Sequence, residues 1–157
     1  TTQGSFDNPY VNWNATGYRL PTEGEWQYAA SYKNGAWTPY NYASGATADF
    51  NNATATGSVA WYRMNSGEST TTAGPKFANA LGIFDMSGNV SEWCWDWYED
   101  LPKTMQNNYR GPASGSIRIQ RGGCYFDSAV FLQVGQRCCD DPYDESQGIG
   151  FRLCLSK

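Results

Sequence analysis

The chain has 157 residues, with 17 glycines, 16% aromatic and 17% charged side chains, and no histidine. That length suits one domain with its own core, and the aromatic content excludes disorder. A net charge of −4 without a Lys or Arg run excludes a nucleic-acid footprint, and the missing histidine excludes Ser-His-Asp, Cys-His and HExxH chemistry.

In chain order, Thr1 to Gly17 is rich in Asn, Thr and Gly and reads as extended or loop. It lacks the charged start and apolar stretch of a signal peptide. No apolar run approaches the roughly 18 residues of a membrane span. Thr22-Glu23-Gly24-Glu25 after Pro21 is a capping box. It predicts a helix over Thr22–Tyr32, with Trp26, Ala29 and Ala30 on its buried face and Asn34-Gly35 ending it. Thr38 to Asn65 reads as loop, with Val59-Ala60-Trp61-Tyr62 as its strand candidate. Asn14-Ala15-Thr16 and Asn52-Ala53-Thr54 are sequons, a pattern that a chain rich in Asn and Thr produces by chance.

Gly82 to Trp93 reads as a tight turn leading into a strand in which Trp93, Trp95 and Trp97 alternate onto one face. Such a face is expected in the core, and a sugar-stacking platform is the lesser reading. Ser116–Gly122 and Ile149–Leu155 are the remaining strands. Trp26, Trp61, Trp93 and Phe151 are the expected core aromatics. Cys94, Cys124, Cys138, Cys139 and Cys154 form no CxxC pair, and their odd number leaves at least one thiol free or intermolecular.

Tyr18-Arg19-Leu20-Pro21-Thr22-Glu23-Gly24-Glu25-Trp26, Asn79-Ala80-Leu81-Gly82 through Glu92-Trp93, and Arg121-Gly122-Gly123 with Gly150-Phe151-Arg152 recur in one order and spacing. Together they resemble the formylglycine-generating enzyme, or sulfatase-modifying factor, superfamily. The resemblance implies an α+β, C-type-lectin-like fold with little regular structure, a short antiparallel sheet and large loops. It implies a single domain over 1–157 that lacks the N-terminal part usual in that family. The active relatives are copper-dependent oxidases with two cysteines soon after the Gly-Gly, thiolate being the soft ligand that Cu(I) selects. Those positions fall on Asp127 and Leu132 here, so no copper is expected. Iron-dependent relatives that make sulfoxides need a histidine cluster, which the chain lacks.

Within that superfamily, the segment 121–152 resembles the variable proteins of diversity-generating retroelements, whose lectin-like domains end in a mutated ligand-binding stretch. Adenine-directed mutagenesis of Asn codons yields residues whose codons end in C. Phe126, Asp127, Ser128, Val130, Phe131, Cys138, Cys139, Asp140, Asp141, Tyr143, Asp144 and Ser146 belong to that set, while Gln136 and Glu145 do not. These twelve and Tyr125 are the candidate ligand-binding residues. Their aromatic rings supply contact area and their Asp, Ser and Tyr groups directional hydrogen bonds. The carboxylates favour a partner with basic groups. The expected partner is a protein or other surface ligand, met outside the cell or on its surface. A divergent oxidase using Cys124 with Cys138 or Cys139 is the competing reading.

Asp85 and Glu92, with the carbonyls of Gly88 and Val90, are candidate ligands for a structural calcium, and relatives hold calcium at these positions. The plainer reading is that Asp85 and Asn89 hydrogen-bond the turn.

Overall fold

A computed structural model describes residues 9–156. Its regular elements are short: β1 Gly17–Arg19, α1 Glu23–Ser31, β2 Tyr32–Lys33, β3 Ala36–Trp37, α2 Ala53–Val59, β4 Ser91–Trp97, β5 Arg118–Arg121, a 3-10 turn Ala129–Leu132, β6 Cys138–Asp140, β7 Ile149–Gly150 and β8 Cys154–Ser156. This is the expected α+β fold, most of it loop.

The capping box forms as predicted. Thr22 Oγ1 accepts from the Glu25 amide at 3.2 Å, and Glu25 Oε2 accepts from the Thr22 amide at 2.8 Å. Each satisfies a donor that the helix start leaves without a partner. Trp26 and Ala30 are fully buried, Ala29 is half-buried, and Glu23 and Ser31 join the covered face. The helix stops at Ser31, earlier than Asn34-Gly35 suggests. Asn34 (φ 49°) and Gly35 (φ 87°) instead form the two-residue turn between β2 and β3. That dipeptide suits the left-handed pair of conformations a tight hairpin needs. The hairpin is held to α1 by Tyr28 stacked on Tyr32 at 4.9 Å and by Trp37 edge-on to both.

The Thr38–Asn65 stretch differs from its reading as loop with a strand at Val59. Asn52 Oδ1 accepts from the Ala55 amide at 2.9 Å and caps α2, which ends at Val59. Thr54, Thr56 and Gly57 are poor helix formers, so tertiary packing outweighs propensity here. Thr56 and Val59 are buried, and Val59 packs in a core cluster with Ala43, Ala60, Tyr62 and Leu132.

The principal sheet has the order β6-β5-β4-β7, with β4-β5 and β5-β6 antiparallel and β4-β7 parallel. Its core face reverses the tryptophan expectation. Glu92 (5% exposed), Cys94 (0%) and Asp96 (2%) point toward α1. Cys94 packs there with Trp26, Ala30, Met86, Ile119 and Val134. Trp93 and Trp95 lie half-buried on the opposite face, and Trp97 is covered by Gly115 and by Arg118, 3.8 Å from its ring. Strand alternation gives the partition but not its sign. The sign is set by Trp26, whose indole nitrogen donates to Glu92 Oε2 at 2.8 Å.

The last strand is divided. β7 adds to β4, whereas β8 pairs with β1, joined through Arg19↔Cys154 and Tyr18↔Leu155. Between them Arg152 turns inward to Glu92, and its neighbour Phe151 is therefore turned outward, 65% exposed. Of the four expected core aromatics only Trp26 is fully buried; Trp61 and Trp93 are half-covered.

Candidate functional site

Arg121 opens the 121–152 segment from the floor of the sheet. Its guanidinium is 2% exposed and donates to Gln27 Oε1 and to the carbonyls of Val134 (2.8 Å) and Gln136. Arg137 makes a bidentate pair with Glu23 at 2.7 and 2.8 Å and donates to the Glu99 carbonyl at 2.9 Å. The segment therefore dips into the core at Leu132–Val134, both 0% exposed, and emerges on either side. Burial pulls the Arg121 pKa down while the Glu23 carboxylate resists that pull.

The first emergent run follows Gly123. Its φ is +67°, and a Cβ there would sit 2.8 Å from the Phe131 carbonyl oxygen, so the chain folds back on itself in a space only glycine fits. Asp127 Oδ2 accepts from the Cys124 amide at 2.9 Å and from its thiol at 3.1 Å. Arg63, on a neighbouring loop, donates from its side chain to the Phe126 carbonyl and from its amide to the Asp127 carbonyl. Phe126, Ser128, Val130 and Phe131 are left exposed around this fold. Two expectations change. Tyr125 is 8% exposed, with its carbonyl held by Ser66 Oγ, and the Asp127 carboxylate is spent inside the turn.

The second run starts on β6. Cys138 pairs with Gln120, and Gln120 with Trp93, so these three share the sheet face turned away from α1. Cys138 is exposed, Cys139 and Asp140 are half-buried, and Asp141, Tyr143, Asp144 and Ser146 are exposed. Asp141 Oδ1 accepts from the Tyr143 amide at 3.0 Å, the hydrogen bond of an Asx turn. The Asp144 pKa is raised by its side-chain hydrogen bond with Asp140. From β6 at one edge of the sheet the chain crosses to β7 at the other. It arrives at Gly148, where a Cβ would lie 2.5 Å from the Phe126 ring. The two emergent runs thus meet at Phe126 and Gly148.

Sequence reading missed Arg63, whose loop carries no motif. It also left Gln136 unexplained. Its backbone lies in the part that Arg121 holds, between the two exposed runs.

The calcium residues do not fit a cage. Both oxygens of Glu92 face Arg152, at 2.6 Å each, and Arg152 Nη2 also donates to the Asp85 carbonyl at 3.1 Å. A guanidinium thus stands where a cation would. Asp85 Oδ2 accepts from the Gly74 amide at 2.7 Å, its Oδ1 is buried without a partner, and Asn89 bonds Thr71 in both directions. Gly88 donates to the Gly122 carbonyl, and the Val90 side chain packs on Gly150. Among the described residues no three Cys, Asp or Glu gather as a metal site.

The thiols are spread by their surroundings. Cys94 lies in the core, where burial holds its thiol well above the usual range. Burial, reinforced by the hydrogen bond to Asp127, pushes Cys124 up to about 12. At neutral pH neither supplies thiolate.

A family model described as the sulfatase-modifying factor enzyme 1-like domain matches residues 7–157. The chain is similar in structure to variable protein 1 of Treponema denticola, with a TM-score of 0.83 and 36% identity, covering 100% of this chain and 54% of that one. In sequence it is 37% identical to the chaperone protein LppX of Paenibacillus barcinonensis, over 94% of this chain and 52% of that protein. It is 31% identical to the formylglycine-generating enzyme of Streptomyces coelicolor, over 91% of this chain and 50% of that enzyme. The chain spans about half the length of these relatives.

Proposed function

The chain belongs to the sulfatase-modifying factor enzyme 1-like family, and from that membership we propose that it is a non-catalytic member, displaying a diversified ligand-binding surface on the shared scaffold. The observation that carries this reading is the use made of Asp127 and Leu132, which stand where the resembled oxidases place their two cysteines. Asp127 is consumed as an acceptor for Cys124, and Leu132 is fully buried with its carbonyl accepting from Ser87 Oγ. Neither side chain can donate sulfur to copper. The likeness to the Treponema denticola variable protein supports the same branch.

The binding face combines Phe126, Val130 and Phe131 from the first run with Cys138, Asp141, Tyr143, Asp144 and Ser146 from the second. Asp140 to Glu145 give it an acidic side, which favours a partner with basic groups. The ligand is a protein or other surface molecule met outside the cell or at its surface. Among the described residues no helix is long and apolar enough to cross a membrane. Sequencing the locus across a population tests the reading. Variation concentrated at the exposed positions of 126–146, beside a near-copy of those codons and a reverse transcriptase, is the expected result. Uniform or absent variation there rejects it.

The competing oxidase is tested by copper titration. Thiol-dependent Cu(I) binding lost in a Cys124→Ser, Cys138→Ser double variant would favour that enzyme over the display surface.

A further inference from the structure

Arg63 stands outside the 121–152 segment, on a turn after α2 that is closed on itself. Asn65 Oδ1 accepts from the Tyr62 amide at 2.9 Å, the Tyr62 carbonyl accepts from the Asn65 and Ser66 amides at 2.9 Å each, and Asn65 Nδ2 donates to the Ala60 carbonyl at 3.0 Å. Beneath it Tyr62 is 3% exposed, in one core cluster with Leu132. The same turn grips the first emergent run. Arg63 Nε donates to the Phe126 carbonyl at 2.9 Å, the Arg63 amide to the Asp127 carbonyl at 3.0 Å, and Ser66 Oγ to the Tyr125 carbonyl at 2.9 Å. Every acceptor is main chain, so none of these bonds depends on which side chains stand at 125–127.

The three basic residues within the segment are spent inward, Arg121 and Arg137 on Glu23 and Arg152 on Glu92. Arg63 is exposed, and only its Nε is used; its two Nη groups enter no hydrogen bond or ion pair among the described residues. With Nε tied to the Phe126 carbonyl the guanidinium is held in one orientation, and its terminal pair of donors forms a fork that matches an oxyanion. Beside it the first run leaves Phe126 and Phe131 exposed. An apolar contact there would shield the pair from water and strengthen it. The acidic stretch 140–145 repels a dianion such as phosphate more than a singly charged carboxylate.

From this arrangement we infer that Arg63 is a constant, specificity-determining residue of the binding face, taking a carboxylate side chain of a protein partner whichever side chains the first run presents beside it. The inference rests on the display-surface reading and adds the opposite charge to it: basic groups of the partner meet the stretch 140–145, and one acidic group meets Arg63.

Selection from a random linear peptide library displayed on phage tests it on the chain as it stands. Enriched peptides are expected to carry Asp or Glu beside an apolar residue, which unspecific attraction to a chain of net charge −4 would oppose. Changing that acid to its amide in a synthetic copy of the peptide should weaken binding to the parent about tenfold, and binding to Arg63→Gln by no more than about twofold. A merely structural role for Arg63 would leave the two losses equal. Circular dichroism checks that the variant is folded. If it is not, Arg63→Lys, which keeps the charge without the fork, should bind the acidic peptide about threefold more weakly than the parent and the amide peptide as the parent does. Repeating the selection on Phe131→Ser should keep the acid and change its apolar neighbour. An acid kept with the same neighbour supports Arg63 and tells against the first run as a display surface instead. A selection that enriches no acid, equal losses in the parent and folded Arg63→Gln, or displacement of the acidic peptide by an equal concentration of inorganic phosphate overturns the assignment.

Discussion

Arg152 grips Glu92 through two hydrogen bonds of 2.6 Å each, tying the last residue of the 121–152 segment to the central strand that its first residue, Arg121, also faces in register. The Glu92 side chain is 6% exposed and that of Arg152 26%. Removing one partner therefore leaves a carboxylate poorly compensated. Arg152→Gln is expected to cost about 3 kcal/mol in urea unfolding, with Glu92→Gln added to it recovering part of the loss. A double variant as unstable as the sum of the two singles would show that the pair is uncoupled.

The display surface separates from its support by exposure. Ser128→Tyr, Val130→Ser and Phe131→Ser change exposed side chains and should each shift stability by no more than about 0.5 kcal/mol. Asp127→Val strands the Cys124 amide and should cost about 2 kcal/mol. Chemical denaturation of the four variants measures this. The idea fails if Asp127 is as replaceable as the other three.

Thiol labelling reads the same surface chemically. Cys138 is exposed, while Cys94 and Cys124 are buried with their thiols held protonated. At pH 8 iodoacetamide should modify Cys138 first, and Cys94 and Cys124 only on unfolding. Mass spectrometry of timed samples gives the order. Early modification of Cys124 would revive the shifted-cysteine oxidase.

Asp96 makes stability depend on pH. Burial raises its pKa to about 6, against the Glu23 amide that favours its charged form. A carboxyl raised on folding binds its proton more tightly in the native state. Its favourable contribution is complete below the unfolded pKa of about 4 and is lost as pH rises through 6. The span corresponds to roughly 3 kcal/mol. Asp96→Asn keeps an acceptor for the Glu23 amide but cannot ionise. Relative to the parent it should gain stability steadily between pH 4 and pH 7, followed by thermal melts in matched buffers. A flat difference across that range would assign the pH dependence elsewhere.

The helix start was legible at Thr22–Glu25 because capping is local, four residues satisfying one another's donors. Likewise the glycine-marked ends of 121–152 and the residues at 127 and 132 could be read directly, since they depend on residue type and spacing alone. Other features were decided only by the tertiary structure. The strand at Ser91–Trp97 alternates either way, and its tryptophans lost the inner face because Glu92 is called inward by Trp26 and Arg152, both far away in the chain. By the same inward turn of Arg152, Phe151 went outside. Asn52 resembled a sequon until packing around Leu132 made α2 worth forming. Spacing along the chain determined which residues stand at each position; burial of charge against charge, across long separations, decided which way they face.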